Sequence, residues 1–141
     1  MTGLTTCRRR LLQMAALSLG AAHCGPSGVQ PASLGDVPAG TVASLSIGSL
    51  RSVGGEPLAI GRDSGGVYAM TLTCTHAGCE VNVIGQGIVC PCHGSRFDAN
   101  GNVVSGPAPS PLDHFAVSAD GSGNLTIHTG TVVDSGFRLK V

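Results

Sequence analysis

Four cysteines and two histidines fall within twenty positions of this chain, as Cys74-Thr75-His76-Ala77-Gly78-Cys79 and Cys90-Pro91-Cys92-His93. That knot limits the possible folds more than any other feature. A small domain has little apolar surface to bury, and such a density of cysteine marks a disulfide, a bound metal, or both. Each segment lies just past a short β-like run and so caps a hairpin. Two such loops side by side would present four ligands to one site, one sulfur and one imidazole from each.

The flanking sequence supports a string of short strands. Glycine accounts for 22 of the 141 residues, tryptophan is absent and aromatics make up 3%, a composition that suits strands joined by tight turns better than packed helices. The β-like runs are Thr41 to Ile47, Pro57 to Gly61, Val67 to Leu72, Val81 to Ile84, Ile88 to Cys90, Val103-Val104, His114 to Ser118, Leu125 to His128 and Phe137 to Val141. Gly54-Gly55, Gly65-Gly66, Asn100-Gly101 and Asp120-Gly121 supply turns between them. The expected fold class is therefore all-β. Charges are few and sum to zero, with no basic stripe, so nucleic acid is not an expected partner. His114 and His128 read as structural or exposed, Phe115 and Phe137 as core.

Three segments are expected: a leader over 1–24, a flexible linker over 25–40 and the folded domain over 41–141. The leader runs from Arg8-Arg9-Arg10 through the uncharged stretch Leu11 to Ala22 to His23-Cys24-Gly25-Pro26, the basic, apolar and breaker regions of an export signal. The apolar run is shorter than the roughly 18 to 20 residues that span a bilayer. Cys7-Arg8-Arg9-Arg10-Leu11-Leu12-Gln13 resembles the twin-arginine signal in its arginine pair and departs from it at Cys7, Leu11 and Gln13. That pathway exports proteins already folded around a cofactor. Cys24 stands where a lipoprotein signal places its acylated cysteine, which would provide a membrane tether; cleavage after Ala22 is the other reading. Either way the expected location is the periplasmic side of the inner membrane.

The doubled pattern of Cys-x-His, thirteen residues, then Cys-x-x-His, with an extra cysteine in each loop, resembles the Rieske family. It is most like the respiratory branch, the iron-sulfur subunit of cytochrome bc complexes. The resemblance covers roughly positions 40 to 130. It implies one 2Fe-2S cluster, with Cys74 and Cys90 on one iron, His76 and His93 on the other, and a disulfide between Cys79 and Cys92. It implies also that Ser95 bonds a bridging sulfide, that Gly106-Pro107-Ala108-Pro109 is the proline loop covering the cluster, and that the fold is three stacked antiparallel sheets. Phe97 stands where high-potential members carry a tyrosine that donates to a ligating sulfur. Without the resemblance, two Cys and two His also suit a structural zinc.

Charge counting favours electron transfer for such a centre. Two ferric ions, two sulfides, two thiolates and two neutral imidazoles sum to zero, where four thiolates would leave the oxidised cluster at minus two. A neutral cluster accepts an electron more easily, which lifts the potential into a range of roughly −150 to +300 mV. The expected donor is quinol through a cytochrome b, and the expected acceptor a cytochrome c. The competing expectations are the small subunit of a periplasmic oxidase of the arsenite oxidase type, taking electrons from that enzyme's catalytic subunit, a free-standing periplasmic carrier, and a zinc-stapled binding module. A ring-hydroxylating oxygenase would need a second domain for its catalytic iron.

Overall fold

The computed structural model describes residues 35–141; the leader, with its arginine motif and Cys24, and most of the linker lie outside the described residues. Among the described residues ten strands follow one another: β1 (Asp36–Thr41), β2 (Ser49–Ser52), β3 (Leu58–Asp63), β4 (Gly66–Thr71), β5 (Asn82–Ile84), β6 (Gly87–Val89), β7 (Arg96–Phe97), β8 (Val103–Ser105), β9 (His114–Ala119) and β10 (Asn124–Val133), with one 3-10 turn at Val42–Ser44. All named pairings are antiparallel. The all-β expectation is borne out. No helix among the described residues is long and apolar enough to cross a membrane.

Hydrogen bonds join the strands into a six-stranded sheet, β1-β10-β9-β4-β3-β2, and a four-stranded sheet, β5-β6-β7-β8. Three separate sheets were expected from the resemblance. The difference lies in a narrow seam: β4 and β9 pair only at Ala69 with Phe115 and Met70 with His114. On either side of it, β1-β10-β9 and β2-β3-β4 behave as distinct layers.

Packing explains why β3 and β4 are buried almost throughout. Alternate side chains of a strand point to opposite faces. Tyr68, Met70 and Ala59 enter a core with Cys74, Cys90, Phe97, Ile88 and Leu112, whereas Val67, Ala69, Leu58 and Ile60 enter a second core with Val117, Leu125, Ile127 and Leu45. The middle layer thus serves both cores, and the four-stranded sheet with its loops sits on one of them. Gly61 is paired with Tyr68, whose ring lies where any Cβ at Gly61 would be, 2.5 Å from the ring carbon bearing the hydroxyl.

Several expected boundaries shift. The first strand begins at Asp36, so residues 36–40 belong to the folded domain and not to a linker, and of the run Thr41 to Ile47 only Thr41 is in a strand. Pro38 and Gly40 hide the inward alternation of Val37 and Ala39; an edge strand tolerates the proline because one of its sides needs no donor. Past Thr41 the chain turns, with Thr41 and Ser44 capping each other and Leu45 buried. Phe137 to Val141 forms a strap whose backbone pairs with β4 at the Val67–Leu139 bridge alone. Phe115 and Phe137 are half-buried, a weaker core role than expected.

Arg138 pins that strap. Its guanidinium lies 4.2 Å from the centroid of the Tyr68 ring, donates to Asp63 Oδ2 at 2.6 Å and to Asn100 Oδ1 at 2.7 Å, and reaches the carbonyls of Ser135 and Phe137. Burial opposes ionisation of Asp63, but the bond from Arg138 and the amides of Gly65 and Gly66 outweigh it and hold the carboxyl below its ordinary range. At the other end of the sheet Ser118 Oγ, His128 and Asp36 are bonded in series at 2.8 Å each. The three side chains face water across β9, β10 and β1, where they tie the edge strand down.

Candidate metal centre

Two loops project from this scaffold with one backbone design. In the first, the Cys74 amide donates to the Cys79 carbonyl and the Gly78 amide to the Cys74 carbonyl; in the second, the Cys90 amide donates to the Ser95 carbonyl and the Gly94 amide to the Cys90 carbonyl. Gly78 and Gly94 both sit at a φ of 75°, a left-handed conformation that glycine adopts without penalty. The four-residue spacing from cysteine to glycine in each loop sets this turn. Each leading cysteine is thereby rooted at a strand end while the histidine two or three residues on is lifted to the surface.

The structure places the two expected cysteines beside each other and the two expected histidines beside each other. Cys74 and Cys90 are free and buried, 2% and 1% exposed, while His76 and His93 are exposed. The two imidazole rings meet edge to face with centroids 4.8 Å apart. Burial opposes ionisation of the Cys90 thiol, yet bonds to its sulfur from the Cys92 backbone, the Cys74 thiol and the His93 backbone hold it below the ordinary thiol range. Backbone amides turned toward a sulfur favour the thiolate, the form that binds metal. Cys79 and Cys92 form a disulfide that joins the loops, with Cα atoms 6.5 Å apart. The sulfurs of Cys79, Cys90 and Cys92 lie within 4.8 Å of one another, but two of the three are spent on the disulfide and only Cys90 is left to ligate.

Residues 35–116 match a family model described as the Rieske 2Fe-2S domain. The chain belongs to the Rieske family. Among curated relatives, the cytochrome b6-f complex iron-sulfur subunit of Synechococcus sp. (strain JA-2-3B'a(2-13)) is 45% identical over 71 residues, which is 48% of this chain and 41% of that protein. The chain thus spans less than half the length of that relative. The crystal structure of the cyanobacterial plasma membrane Rieske protein of Synechocystis PCC 6803 is similar at 35% identity and a TM-score of 0.51, over 64% of this chain and 97% of that one. A chain of a hyperthermophilic respiratory Complex III is similar at 25% identity and a TM-score of 0.50, over 74% and 82%. The cofactor of a Rieske domain is a 2Fe-2S cluster, and the residues present fit it. Two free thiols that cannot form the existing disulfide, and two imidazoles beside each other at the surface, are the donor set such a cluster needs.

Two contacts around the loops could not be read from sequence. The Thr75 hydroxyl donates to the Ser110 carbonyl at 2.7 Å, and the Ala108 amide donates to Ser95 Oγ at 3.0 Å. Ala108 lies in the proline loop and Ser110 directly follows it, so this segment grips each cluster loop once. Gly106 makes the grip possible: its φ is +94°, and a Cβ there would lie 2.5 Å from Ser95 Cα. Replacing Gly106 by Ala combines positive-φ strain with a backbone clash, and should cost more than about 2 kcal/mol. Urea unfolding of the two proteins would show this as a lower midpoint at unchanged slope; an unchanged midpoint would mean that the close approach does not exist.

Proposed function

We propose that this Rieske domain is the electron-transfer unit of a quinol-oxidising complex of the cytochrome bc type, taking electrons from quinol and passing them to a cytochrome c acceptor. Cys74 and Cys90 would hold one iron and His76 and His93 the other. The observation that carries the reading is the sorting of the four side chains, with two free thiols buried at the roots of disulfide-joined loops and two imidazoles at the surface. When bound, the cluster supplies a one-electron couple in the range of roughly −150 to +300 mV.

The chain's residues set the conditions for that couple. Ser95 is fully buried and its Oγ already accepts from Ala108, so its hydroxyl hydrogen is free to donate to a sulfide or thiolate, as the family resemblance implies. The amides that bond to Cys90 offset negative charge on its sulfur. The disulfide and the proline loop fix both cluster loops and keep water from the thiol side. His76 and His93 are left facing solvent or a docked partner, so a quinol hydroxyl could reach an imidazole nitrogen there. The similarity to cytochrome b6-f and respiratory complex subunits supports the choice of complex over an oxidase subunit. Export through the twin-arginine signal, with Cys24 or the leader as a tether to the periplasmic side of the membrane, completes the proposal.

Two measurements test it. A short-chain quinol should reduce the purified protein, and the reduced protein should pass the electron to a cytochrome c; a protein reducible only by dithionite would overturn the quinol assignment. Phe97 offers a check on tuning. It is 2% exposed and packs in the same core as Cys74 and Cys90, with no group to donate. Phe97→Tyr should raise the potential, because a donor to a ligand sulfur stabilises the more negative reduced state. A differential of about 1 kcal/mol corresponds to roughly 40 mV for one electron. Protein-film voltammetry showing an equal or lower potential would remove that role.

A further inference from the structure

His114 is buried to 1% exposure, and among the described residues its Nε2 has no hydrogen-bond partner. Its Nδ1 lies 3.3 Å from the Leu112 carbonyl. Only a protonated Nδ1 can donate there, so the neutral ring keeps its hydrogen on Nδ1 and turns a bare lone pair into the core. An unpaired buried polar atom in a well-packed region requires a reason. Its place in the topology suggests one. His114 supplies half of the two-pair seam between β4 and β9, and on its other side it pairs with Val133, the last residue of β10 before the strap.

We propose that His114 is a pH-sensitive latch: neutral, it closes the seam and seats the strap on β4; protonated, it opens the seam and frees the strap. The groups around it point the same way. From β4 come the Tyr68 ring, with centroids 6.2 Å apart, and apolar Met70; from β10 comes apolar Val133. The strap brings Arg138, stacked on Tyr68; Asp134 lies between β10 and the strap, and Asp113 precedes β9. A proton on Nε2 would find no acceptor and would face the Arg138 cation, while Asp134 and Asp113 are exposed and their attraction is screened by water. Burial first, and then the Arg138 charge, hold the ring below its ordinary pKa against the opposing pull of the Leu112 carbonyl and the two aspartates. The sign follows: the open seam takes up a proton near about pH 6.5 and the closed one resists it, so protection is full above that pH and falls as pH drops toward the folded value.

Hydrogen exchange of the cluster-loaded full chain tests this, read as protection factors at about pH 7.5 and about pH 5.5, with visible absorbance followed in the same samples. Peptides covering 112–118 and 130–140 should lose protection about tenfold on acidification, the most that one histidine of ordinary unfolded pKa gives over that interval. His114→Gln, neutral throughout and able to bond Leu112, should lose less than about twofold. Should that variant not fold, His114→Leu, likewise neutral throughout, replaces it with the same expectation of less than about twofold loss. A tenfold loss that persists in the variant, or no loss in the wild type, overturns the latch. So does a loss that occurs equally in peptides from 74–95 together with falling absorbance, since the titrating group would then be at the cluster.

Discussion

Cys90→Ser and Cys74→Ser should each leave a colourless, iron-free protein. The wild type should be red-brown and contain about two irons and two sulfides per chain. A serine hydroxyl keeps the size of the side chain but stays protonated at neutral pH, so the bonds that favour a Cys90 thiolate cannot produce an anion from it. With one sulfur gone, one iron loses half of its protein ligands, and the remaining thiol cannot hold the cluster alone. His76→Ala and His93→Ala should have the same outcome from the other side. Iron and acid-labile sulfide analysis, with an EPR spectrum of the reduced protein, reads this directly. Iron retained in Cys90→Ser would sink the ligand assignment, and one zinc per chain in the wild type would replace the electron-transfer reading with a structural one.

Breaking the Cys79–Cys92 disulfide should produce the largest change in stability of any single substitution outside the ligands. The bridge closes a loop with a sequence separation of 13, and a constraint of that length on the unfolded chain is worth about 3 kcal/mol. For a domain of this size that is a fall in melting temperature of roughly 10 to 20 °C. Loss of the cluster should also be faster, because the loops would then be held together only by the separate grips of the proline loop at Thr75 and Ser95. The assignment has an internal check. Cys79→Ser, Cys92→Ser and the double variant remove the same bond, so the double should cost no more than either single. Additive losses would mean that the two cysteines act separately.

The site was more legible in the sequence than the scaffold that carries it. The four proposed ligand positions and the two bridging cysteines lie within twenty residues, on two loops whose members pair across rather than along the chain. The glycines and Asn-Gly marked most turns correctly. The hidden parts depend on contacts between residues far apart in sequence. Thr75 meets Ser110 at a separation of 35 positions, and nothing in either residue type foretells it. β7 is two residues long and β2 carries one inward apolar residue, Leu50, both too little for any periodicity to show. The end of the chain misled for the opposite reason. Phe137-Arg138-Leu139-Lys140-Val141 alternates like a strand, but Arg138 turns sideways to bind Asp63 and Asn100, so the backbone pairs with β4 at one point only.

The shared middle layer has a consequence for how such a protein can change. Along β4, odd and even positions answer to different neighbours: Val67 and Ala69 to the core beneath β9 and β10, Tyr68 and Met70 to the core that holds the cluster cysteines. Adjacent codons therefore serve separate purposes. A lineage can drift at every second residue, reshaping the outer layer, its edge and whatever docks there, while the electrochemical half inherits an unaltered surface to stand on. Each face of one strand gives selection an independent handle.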